Sequence, residues 1–365
     1  MSRNMIISFP HMGDYYVPIK ALFERLLPHA EVCPPPPITK ETSALGERYS
    51  PDFICEPFKY NIGNYIQALQ NGANVLLQTG IGCRFGYYGE LQEEILRSLG
   101  YEFDYLCLSR TRARPMTAYE SLKALGSPMN GAQMLHALAV ATENIRAMDK
   151  IARFIRENAA FSQNPPDMHN AYTCFLRELA KASAIPKIHT LTKSYYKQLQ
   201  KIPITMPEKP LRVGIIGDLY TVMEPFSNCH VEERMIKRGI AVSRKMDVSF
   251  LLFGAPDRAA LRQTKGYLRY PLGANGLDSV AGALRYARRG YDGVVHLKSF
   301  GCTPELNAMP ALMKISADYE MPILHMSFDT HSVETGVETR LEAFMDMIEM
   351  RRGNDYYERK LQPGS

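Results

Sequence analysis

No two of the seven cysteines stand in a Cys-x-x-Cys spacing, which removes the zinc-ribbon and clustered-ferredoxin patterns. Their odd number and wide separation also exclude the tight framework of a small disulfide-stapled domain. In a reducing cytosol such thiols are free, metal-bound or catalytic, and any metal site has to be assembled from distant stretches of chain. No apolar run approaches ~18 residues, so no transmembrane helix is expected. The opening residues, Met1 to Pro10, hold too short an apolar run for a signal peptide, and a cytoplasmic location is the expectation. The net charge of +5 is spread without a basic run, which gives nucleic-acid or membrane-surface binding no support. A Walker A motif is also missing, so ATP has no phosphate loop of that kind here.

What is present reads as α/β. The 365 residues suffice for two domains with a core in each. Apolar runs at 5–9, 31–33, 52–55, 74–78 and 103–108 read as strands, and helical spacing separates several of them, as in Tyr16, Ile19, Leu22, Phe23 and Leu26. Strands alternating with helices predict a parallel, doubly wound sheet over 1–116. Residues 117–209 carry helical spacing broken by Pro128, Pro165-Pro166 and Pro186, and end in a proline-punctuated linker. A second α/β unit is predicted over 210–365, with strands at 212–218, 293–297 and 322–326 and helices near 228–238, 277–289, 305–316 and 338–350. The fold class expected is therefore α/β: two Rossmann-like or flavodoxin-like parallel-sheet domains facing across a cleft, with a helical segment between them in sequence.

Three cysteines share one context. Cys55, Cys83 and Cys302 each follow a strand-like run, lie beside Pro or Gly, and precede a helix. Loops at the carboxyl ends of strands are where α/β folds gather ligands, and a helix N-terminus favours a thiolate. Three thiolates with an open fourth position suit a cubane iron–sulfur cluster. The alternative for any cytosolic cysteine is a small buried hydrophobe, which is the expectation for Cys107, Cys174 and Cys229. Cys33 also ends a strand, but four prolines follow it, and Cys229 lies near a helix start.

Several motifs together resemble one family: Phe9-Pro10-His11-Met12-Gly13-Asp14, Pro34 to Thr39, Cys55-Glu56-Pro57-Phe58-Lys59, Cys83-Arg84-Phe85-Gly86-Tyr87-Tyr88-Gly89-Glu90, Phe300-Gly301-Cys302-Thr303-Pro304-Glu305 and Thr339 to Phe344. They resemble the 2-hydroxyacyl-CoA dehydratase and benzoyl-CoA reductase superfamily, nearest its activase-associated, D-component-like branch. The resemblance covers about 9–97 and 210–345 and is thin between them. It implies a 4Fe–4S cluster in the cleft between two α/β domains, with Cys55, Cys83 and Cys302 as ligands. A related branch holds a double-cubane 8Fe–9S cluster, for which Cys33 and Cys229 are the further thiols. Gly82 and Gly301 would leave room for the cluster and Arg84 would offset its charge. The resemblance also implies a homodimer or heterodimer, an anaerobic setting, and very low-potential electrons from a separate ATP-hydrolysing activator of the acetate and sugar kinase fold.

Other polar residues stand at predicted strand ends. His11 follows the first strand, and His325, Asp329, His331 and Glu334 follow the last. His11, His331 and Glu334 are the candidate proton donors, with loop or helix capping as the alternative for each. Lys59 could offset cluster charge, as could Lys298, for which surface solvation is the default. Three functions are compatible with these features. One is a low-potential reductase or dehydratase-type component acting on a small or acyl-CoA substrate. The second is a non-catalytic iron–sulfur electron relay or cluster carrier. The third is a nucleotide-binding α/β protein, suggested only by Gly214-Ile215-Ile216-Gly217-Asp218, a partial match to G-x-G-x-x-G.

Overall fold

The computed structural model describes residues 4–78, 85–107, 115–254, 257–329, 332 and 334–361. Cys83, Arg84, Gly82 and His331 lie outside these residues. The chain divides into two compact units, one of 1–151 with 170–199 and one of 152–169 with 200–365. The stretch 117–209 is thus shared between them.

The first unit has four parallel strands, β1 (Ile6–Ser8), β2 (Glu31–Val32), β3 (Val75–Gln78) and β4 (Asp104–Cys107), in the order β2-β1-β3-β4. Its helices are α1 (Tyr16–Leu26), α2 (Lys40–Tyr49), α3 (Glu56–Gln70), α4 (Phe85–Ser98) and α5 (Pro115–Ala124). Then follow α6 (Gly131–Asn158), which runs on into the second unit, α7 (Pro165–Leu179), and α8 (Ile185–Gln200). Val75, Leu76 and Leu77 of β3 are all buried, the continuous apolar run that a strand covered on both faces needs. One face packs Ile7, Val75 and Leu77 against Phe23 and Leu27, and the other packs Leu76 against Phe58, Ile62, Tyr65 and Leu96.

The second unit repeats this plan. Strands β5 (Arg212–Gly217), β6 (Ala241–Arg244), β7 (Gly293–Ser299) and β8 (Ile323–Phe328) pair in parallel as β6-β5-β7-β8. Its helices are α9 (Leu219–Met223), α10 (Val231–Lys237), α11 (Val248–Phe253), α12 (Asp257–Gln263), α13 (Gly276–Arg288), α14 (Thr303–Asp318) and α15 (Glu334–Leu361). Val280, Leu284, Leu312 and Ile315 pack on Val294. In each sheet the order starts 2-1-3, as in flavodoxin-like folds, and the chain reverses direction between its first and third strands. The expected α/β class with two parallel sheets is what the chain forms. Among the described residues no helix is long and apolar enough to cross a membrane.

One reading needs correction. Residues 52–55, read as a strand, form a turn in which Phe53 takes φ 58° and is 88% exposed. An apolar triplet there imitates a strand, but its neighbours are left to cap α3. Conversely, β6 went unread because Ala-Val-Ser-Arg is too short to show a period, and α2, capped by Thr39, because its helical pattern is mostly polar.

Candidate functional site

The shared topology matches parts of the two units. Cys83 lies between β3 and α4, and Cys302 between β7 and α14, so both follow the third strand of their sheet. Cys55 precedes α3, whose counterpart is α13, where Asn275 holds the N-cap. The cysteine set is thus symmetric in one position and not in the other.

Cys55 and Cys302 each form the N-cap of a helix, with proline in its first two positions. Proline costs nothing there because its missing N–H would be unpaired anyway. Neither thiol makes the side-chain hydrogen bond a cap normally supplies, and both cysteines are half-buried. Each sulfur therefore stands at the positive end of a helix dipole, which stabilises a thiolate. Cys55 Sγ also lies 2.7 Å from Tyr88 Oη, and Phe58 packs edge-on against the Tyr88 ring at 4.9 Å. Soft, half-buried thiolates are the donors an iron–sulfur cluster requires, so these two fit that group.

The remaining predicted residues fall in varied settings. Cys33 is exposed and its N–H continues the sheet to Ile7 O at 2.8 Å. Cys174, expected in a core, is exposed on α7, because the core-facing positions of that helix belong to Phe175 and Leu179, both fully buried. Cys229 and His230 are consecutive residues at φ 54° and 57°. Burial, then Glu334, pushes the Cys229 thiol up. His11 is buried; its N–H donates to Asn64 Oδ1 and its ring stacks on Tyr16. Glu334 opens α15 and is bound by Arg234. Asp329 closes a turn with Ser332, which takes its N–H and returns its hydroxyl at 2.9 Å. Gly301 sits in the turn between β7 and α14. Lys59 pairs with Glu56 at 3.0 Å. Among the described residues no three His, Cys, Asp or Glu side chains group as a metal site.

Lys298 corrects the surface reading: it is 3% exposed. Burial pushes its ammonium down, against the pull of Cys302, Asp218 and Glu305. Asp218 is the other buried titratable group at this sheet end. It caps α9 by accepting from Thr221 N–H at 2.9 Å and ties β7 in place by accepting from Ser299 N–H at 2.6 Å. Burial raises its carboxyl above the usual range, and the two backbone donors oppose that shift.

Sequence reasoning passed over the polar chain beneath these residues. Ser279 Oγ donates to Glu305 Oε1 at 3.1 Å, Glu305 Oε2 lies 2.8 Å from His296 Nε2, and His296 Nδ1 lies 2.8 Å from His325 Nδ1. Glu305 and His296 are fully buried. Burial, then His296 and Lys298, lowers the His325 imidazolium to about 4. The missed signal was a histidine inside an otherwise apolar strand, Val-Val-His-Leu, nine residues before a glutamate in a helix first turn.

A small hollow, partly open to solvent, lies at the carboxyl ends of β5 and β6, with Gly217, Lys245, Phe250, Asp278, Ser279 and Arg285 on its wall. The Gly-rich turn leading into it is explained by packing. A Cβ on Gly214 would lie 2.3 Å from the Tyr286 ring, and one on Gly217, at φ +143°, 1.7 Å from Leu297 O. Glycine is required at both places without any phosphate to cradle.

No family model matches the chain, and no curated protein matches it significantly.

Proposed function

We propose that the chain is an iron–sulfur protein in which Cys55, Cys83 and Cys302 hold a cubane cluster, and that it reduces a small or acyl-CoA substrate one electron at a time. The cluster supplies low-potential electron transfer, and its electrons come from a separate ATP-hydrolysing activator. The observation that carries this reading is the pair of half-buried cysteines, Cys55 and Cys302, each an N-cap whose thiol makes no cap hydrogen bond to the helix N–H groups. An ordinary cap in those places would be Ser, Thr, Asp or Asn, which bond those N–H groups directly. The resemblance in the flanking motifs adds the same ligand roles and the activator.

The chain's own residues suit the chemistry. Tyr88 holds the Cys55 sulfur by one hydrogen bond. Lys298 and Asp218 place a buried base and a buried acid at the end of the sheet that bears Cys302.

The test is iron and acid-labile sulfide per chain on anaerobically purified protein. Cys55→Ser, Cys83→Ser and Cys302→Ser should each lower bound iron several-fold, while Cys174→Ser should leave it unchanged. Equal iron in all four variants would sink the ligand assignment. An electron paramagnetic resonance signal that changes on adding an acyl-CoA under strong reductant separates an enzyme from an electron relay.

A further inference from the structure

Buried polar chains are costly unless every member is satisfied, and a satisfied one orders its protons. In the second unit the geometry leaves two arrangements with neutral rings. Only one proton fits between His296 Nδ1 and His325 Nδ1, 2.8 Å apart. If it sits on His325, then His296 Nδ1 accepts it, His296 Nε2–H donates to the Glu305 carboxylate, and His325 Nε2 is bare. If it sits on His296, then Glu305 is a carboxylic acid donating to His296 Nε2, and His325 carries its proton on Nε2. The second arrangement is the first plus one proton.

We propose that His325, His296, Glu305 and Ser279 form a proton relay joining the outer edge of the second sheet to the hollow at the carboxyl ends of β5 and β6. One proton enters at His325 Nε2. The His325 Nδ1 proton crosses to His296 Nδ1, and the His296 Nε2 proton crosses to Glu305 Oε2. No electron pair changes owner except along these N–H and O–H bonds, and the net result is one proton moved from the edge to Glu305. Ser279 Oγ, which donates to the other carboxylate oxygen and lines the hollow, is the outlet: the carboxyl turns to present its proton, Ser279 turns from donor to acceptor, and it gives its own hydroxyl proton to the hollow as it takes that of Glu305.

Both ends have what a relay needs. β8 pairs only with β7 among the described strands, and His325 is half-buried on it, so the entry ring reaches solvent. A proton held on His325 as an imidazolium is disfavoured by burial, by His296 and by Lys298, which drives it onward. The other charged groups about the path are Asp218, which senses Glu305, and Arg340 of α15, whose guanidinium binds His325 O at 2.6 Å. At the outlet Lys245, Arg285 and Asp278 border the hollow. The use of the proton in a reduction rests on the function proposed above; the relay itself does not need the cluster.

The test is infrared and nitrogen-15 NMR spectroscopy of the full chain during acidification. The carbonyl stretch of a protonated buried carboxyl should appear with the same midpoint as protonation of His325 Nε2, with His325 remaining a neutral ring. His325→Phe, at a half-buried position, should abolish the band, as should Glu305→Gln. A doubly protonated His325 beside an ionised Glu305, or a band unaffected by His325→Phe, overturns the proposal. A coupled titration in protein that binds no iron would keep the relay and refute the cluster; iron binding without the coupled titration would do the reverse.

Discussion

Helices α13 and α14 of the second unit and α3 and α4 of the first occupy matching places in matching sheets, yet they handle buried polar groups in opposite ways. Ser279 on α13 and Glu305 on α14 bond each other, and Glu305 passes its second oxygen to His296. On α3 and α4, Asn61 and Gln92 are fully buried, and both amide atoms of each lack a hydrogen-bond partner. Gln78 at the end of β3 uses its oxygen for Tyr65 but leaves its nitrogen unbonded, and Ser8 Oγ at the end of β1 is likewise unbonded. An amide buried in that way costs about 1–3 kcal/mol. The difference teaches that one fold can hold a closed polar network in one copy and an open one in the other. Open polar groups at strand carboxyl ends mark where a fold keeps capacity for something beyond its own stability.

The comparison can be broken most forcefully from the closed side. Glu305→Leu strips His296 and Ser279 of a fully buried partner, and should lower unfolding free energy by about 3 kcal/mol or more, read by urea denaturation. A loss under ~0.5 kcal/mol, the range of ordinary surface changes, would show that the network is not a structural unit.

On the open side the sign should reverse. Gln92→Met and Asn61→Leu each remove a buried amide while nearly keeping its volume, and should raise stability by about 1 kcal/mol. A clear loss in either variant would show that the amide has a partner in solution, which would erase the contrast.

The smallest effect concerns Asp218. Its folded carboxyl titrates above the unfolded one, so the stability it contributes is complete below the ordinary Asp range near pH ~4 and is lost as pH rises through the raised folded value. Asp218→Asn should flatten that part of the stability–pH curve. An identical curve in the variant would mean that the backbone donors Thr221 and Ser299 offset burial completely.

Much of the fold was legible because parallel strands buried on both faces write themselves as short apolar runs, as Val75 to Leu77 and Val294 to Val295 do. The failures have physical causes. Phe53 and Ile54 look like a strand locally, but only tertiary context decides that Phe53 turns outward. Cys55 and Cys302 were legible as helix-start thiols because proline two residues later fixes a helix start. Lys298 and His296 were not, because alternate residues of a strand read as solvent-facing unless one knows that helices cover both faces. The spacing of His296 and Glu305 was a signal, but only tertiary packing shows that Glu305 turns back to meet His296. Whether Cys55, Cys83 and Cys302 bind iron is the question that iron analysis of the serine variants answers.

The interleaved composition of the two units has a consequence for how the chain is made. Residues 152–169 belong with 200–365, whereas 170–199 belong with 1–151. A ribosome that has released the first 151 residues has exposed a unit that still lacks its last helical segment, 170–199, which bears the fully buried Phe175 and Leu179 and has not yet been synthesised. The first unit closes only after residue 199 emerges, by which time the opening piece of the second has already been made and must wait for its own sheet. Folding order and chain order therefore differ, and an engineered cut at any single point in the middle would separate at least one unit from part of its core.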